Sequence, residues 1–593
     1  MFCPECGTKL DHDAHFCPQC GTKVMFEETS ITSECTTERA NADMLRAQMA
    51  GNMCTADAAH TECKIVIRGF ILTNLRTLSK RLGVETGDLC GLLNGYISGM
   101  RNLGVQYTLL DAGDYTYKTR SLLGGHKHVS LNQNNAWYEY ADILKDAHDA
   151  EVKSRLPESD YLFIIGGDKD VPMACVPNVF GNADKDVDTD LLYAYPYGKE
   201  MEEKLLTLEL FSYDAMFYIG RLPVADDGTA DDIVRYLSRI LKNGAAVPVD
   251  RAYTQSDPAW YQMTMAITED LAQCGLYPSV SANLPRGIIA DGRVFLTPEV
   301  RADEQTGYSN IAVFDKDANY YFFNMHGSNA LRSAAFYGEN PGIDFPAGVT
   351  PAHIAASRCP NIFFTQACYG GRFIGYPKQL SMLHTALNSN TLAYVGSSRV
   401  AYGGGIPKDI GASDILGLAF NRNMLSGSTT GAAFFAARVQ TFLHSRGGMP
   451  TDSLTVIEFN LYGDPVVHIG GYERNSETDK HAVLAKGEKV GIVRHETLYD
   501  KSADAPQSLL SRVRQAVDKN ILDISAVITK QLYEQYGVSA REPSIIERCT
   551  FADGHKELAF TYSKHTPCTC GIVNEVNVSA MENGEVRYVT MTK

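Results

Sequence analysis

The chain has 593 residues, 44% of them hydrophobic and 21% charged, which is typical of a globular protein large enough for about three or four domains. The formal net charge of -16 gives no support to nucleic-acid binding. We find no apolar run of about 18 residues, so no membrane span is expected.

Cysteine usage indicates the compartment. The 15 cysteines are odd in number, and many stand singly in apolar segments, as Cys90, Cys175 and Cys274 do. This favours free thiols in a reducing compartment over a disulfide framework. The first residues contain no basic region followed by an apolar stretch, so we expect no secretory signal and a cytoplasmic location.

Residues 1–24 contain two Cys-x-x-Cys-Gly knuckles. Cys3 and Cys6 belong to the first, Cys17 and Cys20 to the second. Four thiolates complete a tetrahedral shell, so the pattern predicts a structural zinc ion, whereas two disulfides or a redox pair would not suit a reducing compartment. The segment resembles the zinc ribbons at the ends of many bacterial proteins. Residues 25–60 are polar with little periodicity and predict a linker.

Short apolar strands alternate with amphipathic helices over residues 61–245, which predicts an α/β subdomain with a mostly parallel sheet covered on both faces. The predicted elements, in chain order, are strand Cys63–Phe70, helix 86–103, strand Val105–Asp111, helix Ala136–Val152, strands Tyr161–Ile165 and Met216–Ile219, and helix Asp231–Leu241.

The alternation repeats over residues 246–470 and predicts a second α/β subdomain of similar size. Its predicted elements are helix Ala259–Cys274, strands Tyr320–Asn324, Ile362–Thr365 and Leu392–Val395, and helices near 378–388, 411–425 and 431–445.

Residues 471–593 predict a separate α+β domain. A helical stretch near 507–536 precedes a hairpin, Ile572–Val578 and Val586–Met591. Cys568 and Cys570 lie near this hairpin, where they could bind metal with a distant histidine, although structural thiols are the favoured interpretation.

Two of the predicted strands end in residues that can carry chemistry. Tyr320–Asn324 leads to His326 and then Gly327, and Ile362–Thr365 leads to Cys368 and then two glycines after one tyrosine. Ligands of open parallel sheets bind beyond the carboxyl ends of the strands. We therefore expect His326 and Cys368 on the same rim.

The pair suits nucleophilic catalysis. A cysteine attacks once it is partly thiolate, and a histidine can accept its proton or protonate the leaving amine. The backbone N–H groups of Gly327 and Cys368 are natural donors to an oxyanion. The alternative is a core histidine and a core cysteine that never meet, but their joint occurrence at strand ends favours a catalytic dyad.

The His-Gly and Ala-Cys strand ends resemble those of the caspase, legumain, clostripain and gingipain cysteine peptidases, most closely the gingipain family. The motifs lie in the family's order over residues 61–470 and comprise Tyr161–Pro172, Thr189–Ala194, Tyr218–Val224, His326–Ser328, Ala367–Cys368, Gly396–Ser398 and Leu461–Pro465. The resemblance implies a caspase-like fold of two adjoining α/β subdomains, the second catalytic, with His326 and Cys368 as the dyad.

The resemblance also implies an acid that positions the histidine. It should fall near Ala252–Asp257, and Asp257 is the candidate. The family's calcium sites have a candidate in an alternating acidic run, Asp184, Asp186, Asp188 and Asp190. Calcium binding and a solvated loop are both open, and the loop is favoured because the run lacks the glycine and terminal glutamate of an EF-hand.

In such peptidases the strand after the nucleophile helps to form the pocket for the residue before the scissile bond. The substrate-binding candidates here are Ser397, Ser398, Arg399 and Tyr402. An acid at the pocket floor, such as Asp257, would select Arg or Lys. Arg399 would instead select Asp or Glu, or point to solvent; the family resemblance favours a basic preference.

The sequence therefore favours an intracellular cysteine endopeptidase that cuts a protein or peptide substrate, regulated by self-cleavage or by a protein partner. The zinc ribbon or the C-terminal domain would recruit or gate that substrate. Two alternatives stay open: a catalytically silent scaffold on the same fold, and an acyl hydrolase or transferase acting on a non-peptide substrate.

Overall fold

The computed structural model describes most of the chain from residue 66 onward. The described ranges are 66–118, 127–178, 184–248, 250–273, 277–278, 289–290, 294–297, 314–330, 334–404, 411–445, 450–470, 479–500, 519–536, 542–564 and 571–593. The chain divides between residues 57 and 58, and all of these ranges belong to the second unit. The four ribbon cysteines, Cys568, Cys570 and the whole predicted linker, residues 25–60, lie outside them.

The described helices are α1 (Leu75–Leu82), α2 (Thr86–Asn102), α3 (Trp137–Lys153), α4 (Met201–Leu206), α5 (Ala230–Lys242), α6 (Tyr261–Gln273), α7 (Pro351–Ala355), α8 (Met382–Asn388), α9 (Ser413–Leu425), α10 (Thr430–Ser445), α11 (Pro450–Glu458) and α12 (Lys519–Tyr536). Short 3-10 helices are formed by Leu191–Ala194, Glu209–Ser212, Pro258–Trp260 and Lys378–Leu380.

The strands in the first half are β1 (Ile67–Thr73), β2 (Val105–Asp111), β3 (Tyr115–Thr116), β4 (His128–Val129), β5 (Tyr161–Ile165), β6 (Ala174–Pro177), β7 (Asp186–Thr189), β8 (Tyr218–Leu222), β9 (Ala246–Val247), β10 (Arg251–Ser256), β11 (Tyr277–Pro278), β12 (Ile289–Ala290) and β13 (Val294–Leu296). Those in the second half are β14 (Tyr320–Asn324), β15 (Phe336–Tyr337), β16 (Ala347–Val349), β17 (Asn361–Thr365), β18 (Thr391–Ser397), β19 (Tyr402–Gly404), β20 (Phe459–Gly463), β21 (His468–Ile469), β22 (Ile492–Asp500), β23 (Ile545–Phe551), β24 (Lys556–Ser563), β25 (Glu575–Met581) and β26 (Val586–Thr592).

A single central sheet runs through both predicted α/β subdomains. Within the described residues it has 12 strands in the order β12-β13-β10-β14-β17-β18-β20-β8-β5-β1-β2, with β11 beside β10. Most neighbours are parallel, and the central strands are buried along their whole length because helices cover the sheet. The predicted α/β fold class is confirmed.

Strand β20 joins the two halves of this sheet. It runs antiparallel to β18 and parallel to β8, which it meets where Tyr462 pairs with Arg221. Asp464 follows β20 and accepts hydrogen bonds from the hydroxyls of Tyr96 and Tyr107, the latter at 2.6 Å. These contacts tie the turn after β20 to α2 and β2.

A buried ion pair fixes the carboxyl end of β8. Arg221 is fully buried, and its guanidinium donates to both oxygens of Asp190 at 2.6 and 2.7 Å. The same guanidinium donates to the carbonyls of Gly166 and Val171. The guanidinium of Arg221 therefore joins the motif Tyr218–Val224 to the motif Tyr161–Pro172 and to Asp190, within the motif Thr189–Ala194.

Within the described residues, the C-terminal part forms a six-stranded antiparallel sheet in the order β19-β26-β25-β24-β23-β22. Its hydrophobic core contains Ile528 of α12 and Phe560 of β24 together with Trp260, which lies between β10 and α6. The edge strand β19 belongs to the α/β part, so this sheet is continuous with the region that follows Cys368. None of the described helices is both long and apolar enough to cross a bilayer.

Candidate active site

The two candidate dyad residues follow neighbouring strands. Phe323 of β14 pairs with Thr365 of β17 in parallel register. His326 and Cys368 each come three residues later, so they hold equivalent positions beyond the carboxyl ends of adjacent strands. A Cβ atom at Gly327 would lie 1.8 Å from the main-chain oxygen of Cys368, so only glycine permits this approach.

His326 lies in an apolar setting. Its backbone exchanges two hydrogen bonds with Tyr337, and its ring makes edge-to-face contacts with Trp260 and Phe345 at centroid distances of 4.8 and 5.1 Å. Its side chain is 2% exposed, and burial lowers the pKa of the imidazole to about 3. The Nδ1 atom has no hydrogen-bond partner among the described residues. The ring is therefore neutral and has a nitrogen available for proton transfer.

Glu339 is the acid nearest to this ring, and the sequence analysis missed it. Its Oε2 atom lies 4.0 Å from Nε2 of His326. The carboxylate accepts hydrogen bonds from Lys564 at 2.6 Å and from Asn574 at 3.1 Å, both in the C-terminal part. The fold brings Glu339 to the site because residues 326 and 337 pair as a hairpin, and no local motif announces that pairing.

Asp257, the predicted third residue, is buried beside the backbone of Glu339. Its carboxylate accepts hydrogen bonds from the backbone N–H groups of Ala259 at 2.8 Å and Glu339 at 2.6 Å. Burial raises its pKa to about 7, and the charge of Glu339 adds to that rise. These contacts hold the backbone of Glu339 in place, and a direct catalytic role for Asp257 stays a prediction.

Cys368 lies at a sharp bend. Its Sγ atom accepts a hydrogen bond from the N–H of Ala401 at 3.2 Å, and the side chain is almost fully buried. Burial raises the pKa of the thiol, so the sulfur is protonated in this state. The next residue, Tyr369, has a φ of 56°, held by its N–H on the carbonyl of Arg399 and its hydroxyl on Asp184.

The chain's own segment Thr590–Lys593 lies against Cys368. Strand β26 pairs antiparallel with β19, with Thr592 opposite Tyr402 and Thr590 opposite Gly404. The N–H of Lys593 donates to the carbonyl of Ala401 at 2.9 Å, and this continues the ladder by one residue. The main-chain oxygen of Lys593 then accepts the N–H of Cys368 at 3.0 Å, which is the predicted oxyanion donor.

The side chain of Lys593 fills a closed pocket. Its ammonium donates to Oδ1 of Asn324 at 2.8 Å, to Oε1 of Gln366 at 2.7 Å and to Oδ1 of Asp414. It also lies 5.2 Å from the ring centroid of Trp260, and the side chain is fully buried. The acid at the pocket floor is therefore Asp414, in the first turn of α9, and not Asp257 as predicted, because the Asp257 carboxylate accepts backbone N–H groups instead.

The four predicted substrate-binding residues divide into two groups. Tyr402 contributes its backbone to the ladder with β26. The hydroxyl of Ser397 bonds to the backbone of Arg399, and the hydroxyl of Ser398 donates to the carbonyl of Asp188 at 2.7 Å. The guanidinium of Arg399 forms an ion pair with Asp188 at 2.7 Å. Ser397, Ser398 and Arg399 thus stabilise the loop beside Cys368.

The acidic run from 184 to 190 contacts several different partners. Asp184 accepts from the hydroxyl of Tyr369 and the N–H of Val400, whereas Asp188 pairs with Arg399. Asp190 is bound by Arg221. No group of three His, Cys, Asp or Glu side chains suited to a metal ion occurs in the parts of the chain that the structure describes. Calcium binding stays a prediction without support from this geometry.

A small surface depression lies beside Gly327 and Cys368. It is lined by Gly327 and Ser328 after the histidine, by Cys368 and Tyr369, and by Tyr376. Cys368 therefore borders this depression as well as the groove that Thr590–Lys593 fills.

Comparison with known proteins gives two kinds of match. A family model described as a zinc-ribbon domain matches residues 2–24. No curated protein sequence is significantly similar to the chain. The four cysteines of the matched segment form the donor set of a structural zinc site, so the residues present fit that metal.

Among solved structures, the Arg-specific cysteine proteinase gingipain R is 10% identical, with a TM-score of 0.41 over 90% of this chain and 98% of that one. The complex of the pro- and mature domains of RgpB from Porphyromonas gingivalis gives 10% and 0.41 over 89% and 99%. A structure described only as a protease gives 11% and 0.42 over 89% and 97%. The predicted resemblance is confirmed as a distant structural similarity, which says nothing of activity.

Proposed function

We propose that the protein is a cysteine endopeptidase that cleaves after a basic residue, with Cys368 as nucleophile and His326 as acid and base. One observation carries the proposal: the segment Thr590–Lys593 lies along β19 in the manner of a bound peptide. Its last main-chain oxygen rests on the N–H of the nucleophile.

The pairing has the form of strand addition to a sheet edge. Main-chain hydrogen bonds to Ala401 and to β19 supply affinity that is independent of sequence, and a side-chain pocket supplies specificity. A substrate in the same register would place the carbonyl of its basic residue on the N–H of Cys368. In an endopeptidase, the residues after the scissile bond would lie towards the depression beside Gly327.

The chemistry requires one proton to move twice. The thiol proton of Cys368 passes to His326, and the thiolate attacks the carbonyl carbon to form a carbon–sulfur bond. The N–H of Cys368 stabilises the oxyanion, with Gly327 as the second predicted donor. The imidazolium then gives its proton to the amine as the carbon–nitrogen bond breaks. Water, activated by the neutral His326, hydrolyses the thioester and restores the thiol.

The state described here is inactive by the same reasoning. Burial raises the pKa of the Cys368 thiol and lowers the pKa of His326, so the ring is too weak a base to take the proton from the thiol. The groove that a substrate needs is occupied by Thr590–Lys593. We therefore include self-occlusion in the proposal: the C-terminal sheet gates the cleft, and substrate or a partner protein must displace its last strand.

Two further parts of the proposal concern the remaining features. Cys3, Cys6, Cys17 and Cys20 would hold one structural zinc ion in a ribbon that recruits a substrate or partner. A cytoplasmic location is consistent with these thiolates and with the free cysteines at 90, 175 and 359.

The test is cleavage of a peptide library by the full chain and by Lys593→Ala, each with and without Cys368→Ala. We expect turnover after basic residues that Cys368→Ala abolishes in both backgrounds. Cys359→Ala is the matched control, because this cysteine precedes the opposite end of β17 and should leave turnover unchanged. Absence of turnover in every background, with Cys368 unreactive to alkylating reagents, would support the silent scaffold instead. Turnover of thioesters but not of peptides would support an acyl hydrolase.

A further inference from the structure

The pocket that holds Lys593 is built around a single nitrogen atom. Its three oxygen acceptors come from three separate elements: Asn324 ends β14, Gln366 follows β17, and Asp414 begins α9. An ammonium group has three N–H donors, and each acceptor takes one of them. All three N–H donors of the Lys593 ammonium are therefore satisfied, although its side chain is fully buried.

The acceptors are themselves held in place. The amide nitrogen of Gln366 donates to the carbonyl of Ser413 at 2.6 Å, so its oxygen faces the ammonium. The second oxygen of Asp414 accepts the N–H of Gly404 at 2.8 Å. A preorganised set of oxygens of this kind binds one donor geometry and loses little freedom on binding.

Gly403 forms the wall beside the lysine stem. A Cβ atom at this position would lie 1.8 Å from Cε of Lys593 and 2.4 Å from its Nζ. The same Cβ would lie 3.2 Å from an oxygen of Asp414. The pocket therefore has no spare width at the level of the ammonium.

A guanidinium does not suit this pocket. An arginine side chain has two more heavy atoms than a lysine side chain, and its guanidinium is planar with five N–H donors that point outward in a fork. A fork matches a bidentate carboxylate, whereas here one oxygen of Asp414 already bonds the backbone of Gly404. An arginine side chain would leave donors unpaired in a site sealed from water, which is costly.

We infer that Asn324, Gln366 and Asp414, with Gly403 as the wall, select lysine over arginine as the residue before the scissile bond. This inference rests on the proposed function for its role in catalysis. The pocket itself can be tested without catalysis, because Lys593 occupies it within the chain.

The first measurement uses peptides that copy residues 589–593, Val-Thr-Met-Thr-Lys, followed by a fluorogenic leaving group. Matched peptides end in arginine or methionine in place of lysine, and the enzyme is the full chain carrying Lys593→Ala. We expect kcat/KM for lysine to exceed that for arginine at least about tenfold, because a site that satisfies one polar group rejects another geometry. Arginine turned over as fast as lysine, or faster, would overturn the inference.

The second measurement needs no turnover. The variant Lys593→Arg places a guanidinium in the pocket of the full chain, and Lys593→Met keeps an unbranched stem without charge. We expect Lys593→Arg to lower Tm and to speed alkylation of Cys368 relative to wild type. A Lys593→Arg chain as stable and as slowly alkylated as wild type would refute the pocket assignment. Absence of all peptide turnover together with the expected Lys593→Arg result would reject the peptidase and leave the lysine site standing.

Discussion

Replacement of Lys593 by alanine should open the cleft. The substitution removes the ammonium from Asn324, Gln366 and Asp414 but keeps the backbone pairing of β26 with β25. Removing one partner of a buried ion pair costs about 3–5 kcal/mol, because the remaining charge is left uncompensated. The closed state of Lys593→Ala therefore carries an unpaired carboxylate at Asp414, and hydration of that carboxylate favours release of the last strand.

The expected effect follows from this cost. At about 1.4 kcal/mol for each factor of ten, the opening equilibrium constant rises between about a hundredfold and a few thousandfold. The rate at which iodoacetamide labels Cys368 should rise with it, measured by mass spectrometry of the peptide that contains this cysteine. Peptide turnover should rise in parallel, because the same step uncovers the pocket.

Lys556→Ala is the matched control, since Lys556 is an exposed lysine of the same C-terminal sheet. It should change neither labelling nor turnover. If Lys593→Ala folds with a Tm close to that of wild type and yet Cys368 is labelled no faster, the last strand does not gate the site. The self-occlusion argument would then be wrong even if the enzyme cleaves peptides.

Three other predictions follow from the structure. Gly403→Ala should cut turnover of lysine peptides by at least about tenfold through the clash with the lysine stem, whereas Gly411→Ala, where a Cβ meets nothing nearer than 4.0 Å, should leave kcat/KM unchanged. Because burial lowers the pKa of His326 to about 3 from 6.5, only the unfolded chain takes up its proton between those values, and stability is lost as the pH falls through this window. His326→Phe should therefore gain Tm relative to wild type on going from about pH 7 to about pH 4, and a constant difference would contradict the cause assigned to that pKa. Native mass spectrometry should find about one zinc ion per chain and none in Cys17→Ser; zinc retained by that variant would rule out the four-cysteine site.

The local sequence was enough to predict several strands of the central sheet. Tyr161–Ile165 and Tyr320–Asn324 have the predicted bounds, because each is a short apolar run buried on both faces. Val105–Asp111 also has the predicted bounds, although it lies at the edge of the described sheet and is only partly buried. The positions of His326 and Cys368 after adjacent strands follow from the same pattern together with the rule for parallel sheets.

Contacts between distant segments escaped prediction for a physical reason. Glu339 reaches the histidine through a hairpin, and Asp414 reaches the pocket from the start of a helix; neither carries a periodic or spacing signal. The pairing of Tyr402 with Thr592 joins residues far apart in the chain, and nothing in either short strand specifies its partner. Asp257 was the only visible acid in the expected segment, and the fold uses it to hold the backbone of Glu339.

Trp260 links the proposed gate to the proposed catalytic base. Its ring contacts the imidazole of His326, and it is also part of the hydrophobic core beneath the C-terminal sheet. If that sheet moved away, water would reach the indole of Trp260 and the imidazole of His326. Hydration would return the pKa of the imidazole towards its ordinary value. Displacement that extended from the last strand to β24 would also take Lys564 away from Glu339 and leave that carboxylate available to the ring. Exposure of the cleft and the rise in the pKa of His326 would thus occur together. A molecule that displaces the sheet would then need no separate signal to start catalysis.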